Sequence, residues 1–149
     1  MNPVSCLGID AGTHESGYAV YVKNGGVLAK GVLPNREILD VIRKTDADIL
    51  AIEKIVNYGV AVGQEVFDTC VFMGRCQQAW NDPAAVVFVP RLSVKKFLCG
   101  TGKAKDPQVR GALIARLGPS GSKAKPGPTY GVTSHAWSAL AVAVTALHA

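Results

Sequence analysis

The sequence predicts a mixed α/β fold: a five-stranded sheet, part antiparallel meander and part parallel strands, flanked by helices. Two observations carry that prediction. Residues 4–33 hold three short apolar or alternating runs separated only by tight-turn signals, which is the pattern of a meander. Two further apolar runs, at 48–53 and 85–90, each follow a segment with helical spacing, which is the pattern of strand-helix-strand crossovers.

Taken in order, Val4 to Asp10 is an apolar run ending in an acid, and residues 16–23 alternate up to Asn24-Gly25-Gly26. A third strand at 26–33 follows at once. Pro34-Asn35 introduces a helix over 36–44, with Ile38, Leu39, Val41 and Ile42 on one side, before the buried strand at 48–53. Residues 60–80 place Val62, Val66, Cys70, Met73, Gln77 and Trp80 at three- and four-residue steps, an amphipathic helix of about five turns. After the strand at 85–90, Ser93 is expected to cap a short helix through Cys99. Asp106-Pro107 supplies a cap and first-turn proline for a helix to Leu117. Residues 118–128 (GPSGSKAKPGP) read as a mobile basic loop, and an alanine-rich helix runs from Thr133 or Ser134 to the end.

The 149 residues suffice for one domain spanning 1–149 with a real core. Hydrophobic residues at 48% against 18% charged exclude a disordered chain. Apolar stretches are broken well before the roughly 18 residues of a membrane span, and the first ten residues lack a basic leader, so a soluble cytoplasmic protein is expected. Cys6, Cys70, Cys76 and Cys99 lack metal-ligand spacing and read as buried thiols.

The net charge of +5 is concentrated. Residues 91–125 carry nine basic side chains, including Arg91, Lys95, Lys96, Lys103, Lys105, Arg110, Lys123 and Lys125, against the single acid Asp106. Such a stretch suits a phosphate backbone; its alternative is a solubilising face.

Asp10 and Glu53 each close an apolar strand, and ligands of open α/β sheets collect beyond such carboxyl ends. If the two strands are neighbours, the carboxylates face each other in low-dielectric surroundings, where a divalent cation would relieve their repulsion. Taken singly, each is equally well a solvated strand end.

Leu7-Gly8-Ile9-Asp10-Ala11-Gly12-Thr13, with Gly17-Tyr18-Ala19-Val20 beyond it, resembles the first strand and hairpin of the RuvC Holliday-junction resolvases. Ala51-Ile52-Glu53-Lys54 resembles the segment bearing their catalytic glutamate, and residues 102–109 their basic stretch before the penultimate helix. Ala139-Leu140-Ala141-Val142-Ala143 is similar to the start of their last helix, and residues 58–75 resemble the small phage and prophage members. The match is collinear over nearly the whole chain. It implies an RNase H-like fold, hydrolysis of branched DNA at a four-way junction, and two divalent ions, Mg²⁺ or substituting Mn²⁺.

The resemblance brings Asp10 and Glu53 in as catalytic and metal-binding residues, and puts the last-helix acid pair on His135 and Ser138. Histidine ligates metals or shuttles protons, whereas serine is a poor partner for a hard cation. Ser138 is therefore an ordinary helix hydroxyl, a weakened metal position or an engineered change, and His135 a ligand or a surface residue. Tyr58 falls where the family inserts a base-stacking aromatic, or is a core or turn tyrosine. Glu65 and Asp68 read as solvated or dimer-facing acids, and Trp80 and Trp137 as core. Paired cuts across a junction need two sites, so a homodimer through helix 60–80 is expected.

Two other functions compete. Asp10-Ala11-Gly12-Thr13 also resembles the first phosphate motif of actin-like phosphotransferases, but those duplicate the fold and no second phosphate loop is present. A catalytically weakened junction-binding protein is the other, motivated by Ser138.

Overall fold

The computed structural model describes residues 3–149. Its five strands are β1 (Ser5–Asp10), β2 (Glu15–Val22), β3 (Gly26–Pro34), β4 (Ile49–Lys54) and β5 (Val87–Pro90), in the spatial order β3-β2-β1-β4-β5. The meander is antiparallel, and β4 and β5 join parallel to β1. Five helices complete the fold: α1 (Asn35–Lys44), α2 (Gln64–Ala79), α3 (Arg91–Cys99), α4 (Asp106–Leu117) and α5 (His135–His148). This is the expected element order.

Strand alternation divides the core in two. Leu7, Ile9, Leu50 and Ile52 face α1 and α2, where Ile38, Leu39, Ile42, Phe72, Met73, Cys76 and Trp80 cover them. Cys6, Ala19, Tyr21, Ala51 and Val89 face the other way, under α5 with α3 and α4 behind it. Helix α5 is buried from Ala136 to Thr145 except Ser138, which is half-buried, and so needs its alanines to lie against the sheet. Both tryptophans are core residues, as expected.

Several local expectations are corrected. The helix expected over 60–80 starts only at Gln64, because Gly59 takes φ +85° and Gly63 stands extended at the N-cap. Its buried face is Thr69, Phe72, Met73 and Cys76; of the expected stripe Met73 and Trp80 are buried, whereas Val62 and Cys70 are exposed and Val66 is half-buried. Residues with apolar side chains occur on both sides of this helix, so spacing alone did not select the inner one. Ser93 lies inside α3, which begins directly after Pro90. The strand expected at 85–90 is shortened by a 3₁₀ turn over Pro83–Ala85. The 118–128 loop folds back on itself: Gly121 bridges to Pro126, and the buried Thr129 hydroxyl donates to the Gly118 carbonyl at 2.8 Å.

Candidate active site

Asp10 ends β1 and Glu53 lies one residue before the end of β4. Ile9 pairs with Ile52 in the parallel ladder, so Asp10 and Glu53 form the next facing pair, and alternation turns both toward α5. Both side chains are largely buried. Burial raises the Asp10 carboxyl above its ordinary range, partly opposed by a hydrogen bond from His135 and by the His135 and Arg91 charges. Glu53 is raised by burial and then by the negative charge of Asp10, with Arg91 and Lys95 opposing.

His135 is the first residue of α5, and its Nδ1 lies 2.9 Å from Asp10 Oδ2. A carboxylate only accepts, so Nδ1 carries a proton, and in the neutral imidazole Nε2 is then the acceptor. Two glycines let the helix come this close. A Cβ on Gly17, which pairs with Asp10 across the hairpin, would sit 2.3 Å from the His135 carbonyl oxygen. One on Gly8 would sit 2.1 Å from that of Ala139. Ser134, just before the helix, takes φ +49° without capping it through its side chain, a strained conformation for a residue other than glycine.

The chain leaving β1 is also held. Buried Ser16 accepts from the Gly12 N–H at 3.0 Å and donates to Asn35 Oδ1 at 2.7 Å, while Asn35 Nδ2 donates to the Gly12 and Thr13 carbonyls. Thr13 reaches α2 through Thr69 and the Glu65 carbonyl. Beside this loop an open cleft of about 590 Å³ is lined by residues that include Thr13, His14, Glu65 and His135.

On the Glu53 side stands a member of the basic stretch 91–125. Arg91 follows β5 directly, pairs with Glu53 Oε1 at 3.5 Å and also with Asp106, the first residue of α4. Its position one residue beyond the strand beside Glu53 was the available signal, but it is legible only once β5 is known to neighbour β4. Ser138, one turn after His135, lines a cavity of about 60 Å³ with Arg91, Asp106, Arg110 and Trp137. Among the described residues it makes no hydrogen bond to Asp10 or Glu53; of the two last-helix positions, His135 touches the acid pair directly, and Ser138 shares a cavity with Arg91, the partner of Glu53.

The remaining basic side chains divide. Lys95 is half-buried and close enough to act on Glu53. Lys96, Lys103, Lys105, Lys123 and Lys125 are exposed. Arg110 lies over the Trp137 ring at 5.5 Å, which gives it a packing role as well as a charge. Tyr58 is 69% exposed in the segment between β4 and α2, with Val60 beside it at 70%. Such exposure rules out its reading as a core tyrosine.

Fold and site together define an α/β domain of RNase H-like architecture with paired acids at the carboxyl edge of two central parallel strands. Among solved structures it is similar to Thermus thermophilus RuvC in complex with Holliday junction substrate, with TM-score 0.75 and 21% identity over 95% of this chain and 92% of that one. It is similar to a second Thermus thermophilus RuvC structure at TM-score 0.71, with the same identity and coverage. The fold is therefore RuvC-like. No family model and no curated protein matches the sequence.

Proposed function

We propose that this chain is a divalent-metal-dependent endonuclease that resolves four-way DNA junctions. One observation carries the reading: two largely buried carboxylates on adjacent strands, with a histidine hydrogen-bonded to one of them, at the carboxyl edge of the sheet. The RuvC-like fold, found in a protein described with a Holliday junction substrate, supports the substrate class. Exposed lysines from α3 to residue 125 suit contacts with the phosphate backbone.

Among the described residues, no three His, Cys, Asp or Glu side chains are grouped to hold an ion unaided. Two facing carboxylates still suit a hydrated Mg²⁺, which keeps several waters and binds through one or two carboxylates plus substrate phosphate. Asp10 and Glu53 would hold it, and when bound it would stabilise the charge developing on the phosphate. Both side chains must be ionised to do so; burial penalises that charge on both, and the Asp10 charge adds to the penalty at Glu53, so a bound cation would offset it.

His135 acts on the water. With Nδ1–H donated to Asp10, Nε2 accepts the proton of the attacking water as its oxygen bonds to phosphorus. The bond from phosphorus to the leaving sugar oxygen breaks, and that oxygen takes a proton from solvent. Asp10 fixes the imidazole's tautomer and orientation throughout.

Paired cuts require two such domains. Helix α2 offers a surface for a second copy, since its outer face carries exposed Phe67, Cys70 and Val71 beside Gly74. Sedimentation at micromolar concentration is expected to give a dimer; a monomer that still makes paired cuts would remove α2 from this role.

The deciding experiment compares a synthetic four-way junction with a linear duplex of the same sequence, in Mg²⁺ and in Mn²⁺. Symmetric cuts in the junction alone are expected. Tight junction binding without cutting at any metal concentration would replace the enzyme by a junction-binding protein, a reading that neutral Ser138 favours.

A further inference from the structure

The site does not match the donor set of two divalent ions. Ser138 offers a neutral oxygen where a second ion would need a carboxylate, and among the described residues it does not bond to the acid pair. In the same place the chain puts a cation of its own. Arg91 reaches from the end of β5 to Glu53 on one side and to Asp106 on the other, while Lys95 adds a weaker positive field at Glu53.

We propose that Arg91, held between Glu53 and Asp106, takes the place of a second divalent cation, so that the site binds one divalent ion and presents a guanidinium to the scissile phosphate. This rests on the nuclease reading above. Three features of the chain carry it. Arg91 keeps 36% of its side chain exposed, so part of it stays open to solvent while it pairs with Glu53. Its two paired nitrogens, Nη1 and Nη2, leave further N–H groups of the planar fork free for phosphate oxygens. Asp106 sits in the first turn of α4, where the helix dipole favours negative charge, and lies on the same small cavity as Ser138.

Charge accounts for the neutral residue at 138. Asp10 and Glu53 offer two carboxylates, which one divalent ion can share, while Arg91 and Lys95 already set positive charge beside Glu53. A second divalent ion would then have to sit against a guanidinium with no anionic ligand to spare. Arg91 is on this view a catalytic residue that touches substrate, and Asp106 a positioning residue that holds it.

Two measurements test this. The first counts Mn²⁺ bound to the full chain by equilibrium dialysis and electron paramagnetic resonance. One ion per chain is expected for the wild type, and two for the double variant Arg91→Ala, Ser138→Asp, which removes the cation and restores the acid. Two comparable ions on the wild type, or still one on the double variant, would overturn the proposal. The second follows junction cleavage. Arg91→Ala should lower kcat roughly 100-fold, as for loss of one transition-state donor, with junction Kd within about threefold of wild type. Millimolar guanidinium should restore part of the rate, which it would not do if Arg91 were only a structural tie. Asp106→Asn should lower kcat by a smaller factor without changing Kd. Unchanged cutting by Arg91→Ala, or loss without guanidinium rescue, would also overturn it. If the wild type cuts no junction, the nuclease reading falls by itself, and the Mn²⁺ count still decides the inference.

Discussion

The carboxyl edge of β1 and β4 and the lysine-bearing face from α3 to residue 125 are both charged, yet they are built in opposite ways. At the edge, Asp10 and Glu53 are taken out of water and countered by a few fixed partners, His135 and Arg91 at Asp10 and Arg91 with Lys95 at Glu53. On the basic face, Lys96, Lys103, Lys105, Lys123 and Lys125 stay in solvent, where screening makes each charge weak and replaceable. Charges meant to act on a reacting group gain from low dielectric and fixed geometry. Charges meant to hold a polymer backbone gain from number and mobility. Substitutions should therefore have steep effects in the first region and graded effects in the second.

The steepest effect is expected from Asp10→Asn and Glu53→Gln. Each removes a metal-ligand charge while keeping the shape, so junction cleavage should fall more than about 100-fold with binding retained. Near-wild-type cutting by either would remove the acid pair from the chemistry.

Next comes the packing that carries His135 to Asp10. Gly17→Ala forces a Cβ against the His135 carbonyl and should cost about 1–3 kcal/mol as overpacking, together with much of the cleavage rate. Gly74→Ala on α2 meets nothing within 4 Å and should leave the fold at least as stable, by about 1 kcal/mol at most. Equal thermal melts for the two variants would contradict the close approach of α5.

On the basic face, Lys123→Ala with Lys125→Ala should weaken junction binding several-fold and flatten the log–log salt slope by about one to two units, leaving kcat at saturation unchanged. An unaltered slope would return the loop to a solubilising role.

The smallest effect is one of stability against pH. Because the folded-state pKa values of Asp10 and Glu53 are raised, the fold binds protons more tightly than the unfolded chain does. The stability associated with the protonated acids is full below the ordinary carboxylate range and is lost as pH rises through the raised values. Metal-free Asp10→Asn should thus melt above wild type at pH 7, with the gap closing as the pH falls below about 4. A gap that widens toward acid would reverse the assigned sign. Added Mg²⁺ should raise the melting temperature of the wild type more than that of the variant.

Much of this was legible in the residues. The order of strands and helices followed from runs, turn signals and spacing, since strand alternation and helix periodicity are local properties of a chain. The placement of Asp10 and Glu53 at strand ends was equally local, and the expectation that they would face each other if their strands were neighbours is met by the β1–β4 ladder. Where apolar residues occur on both sides of a helix, as in α2, spacing could not choose the buried side. Phe67 and Val71 lie outward while Phe72 and Met73 lie inward, because the sheet and α1 cover only one face.

The partnerships across the site were beyond any local signal. Arg91 and Asp106 are 15 residues apart, and His135 lies 125 residues from Asp10, so no spacing rule joins them. The chain by itself determined which residues end strands, which carry charge and which segments bury an apolar face, because each depends on a side chain and its near neighbours. Only the tertiary structure decided that His135 meets Asp10, that Ser138 stands with Arg91 and Asp106, and that Arg91 stands against Glu53. Those contacts depend on β4 lying between β1 and β5 and on α5 settling onto Gly8 and Gly17, which are long-range outcomes of packing.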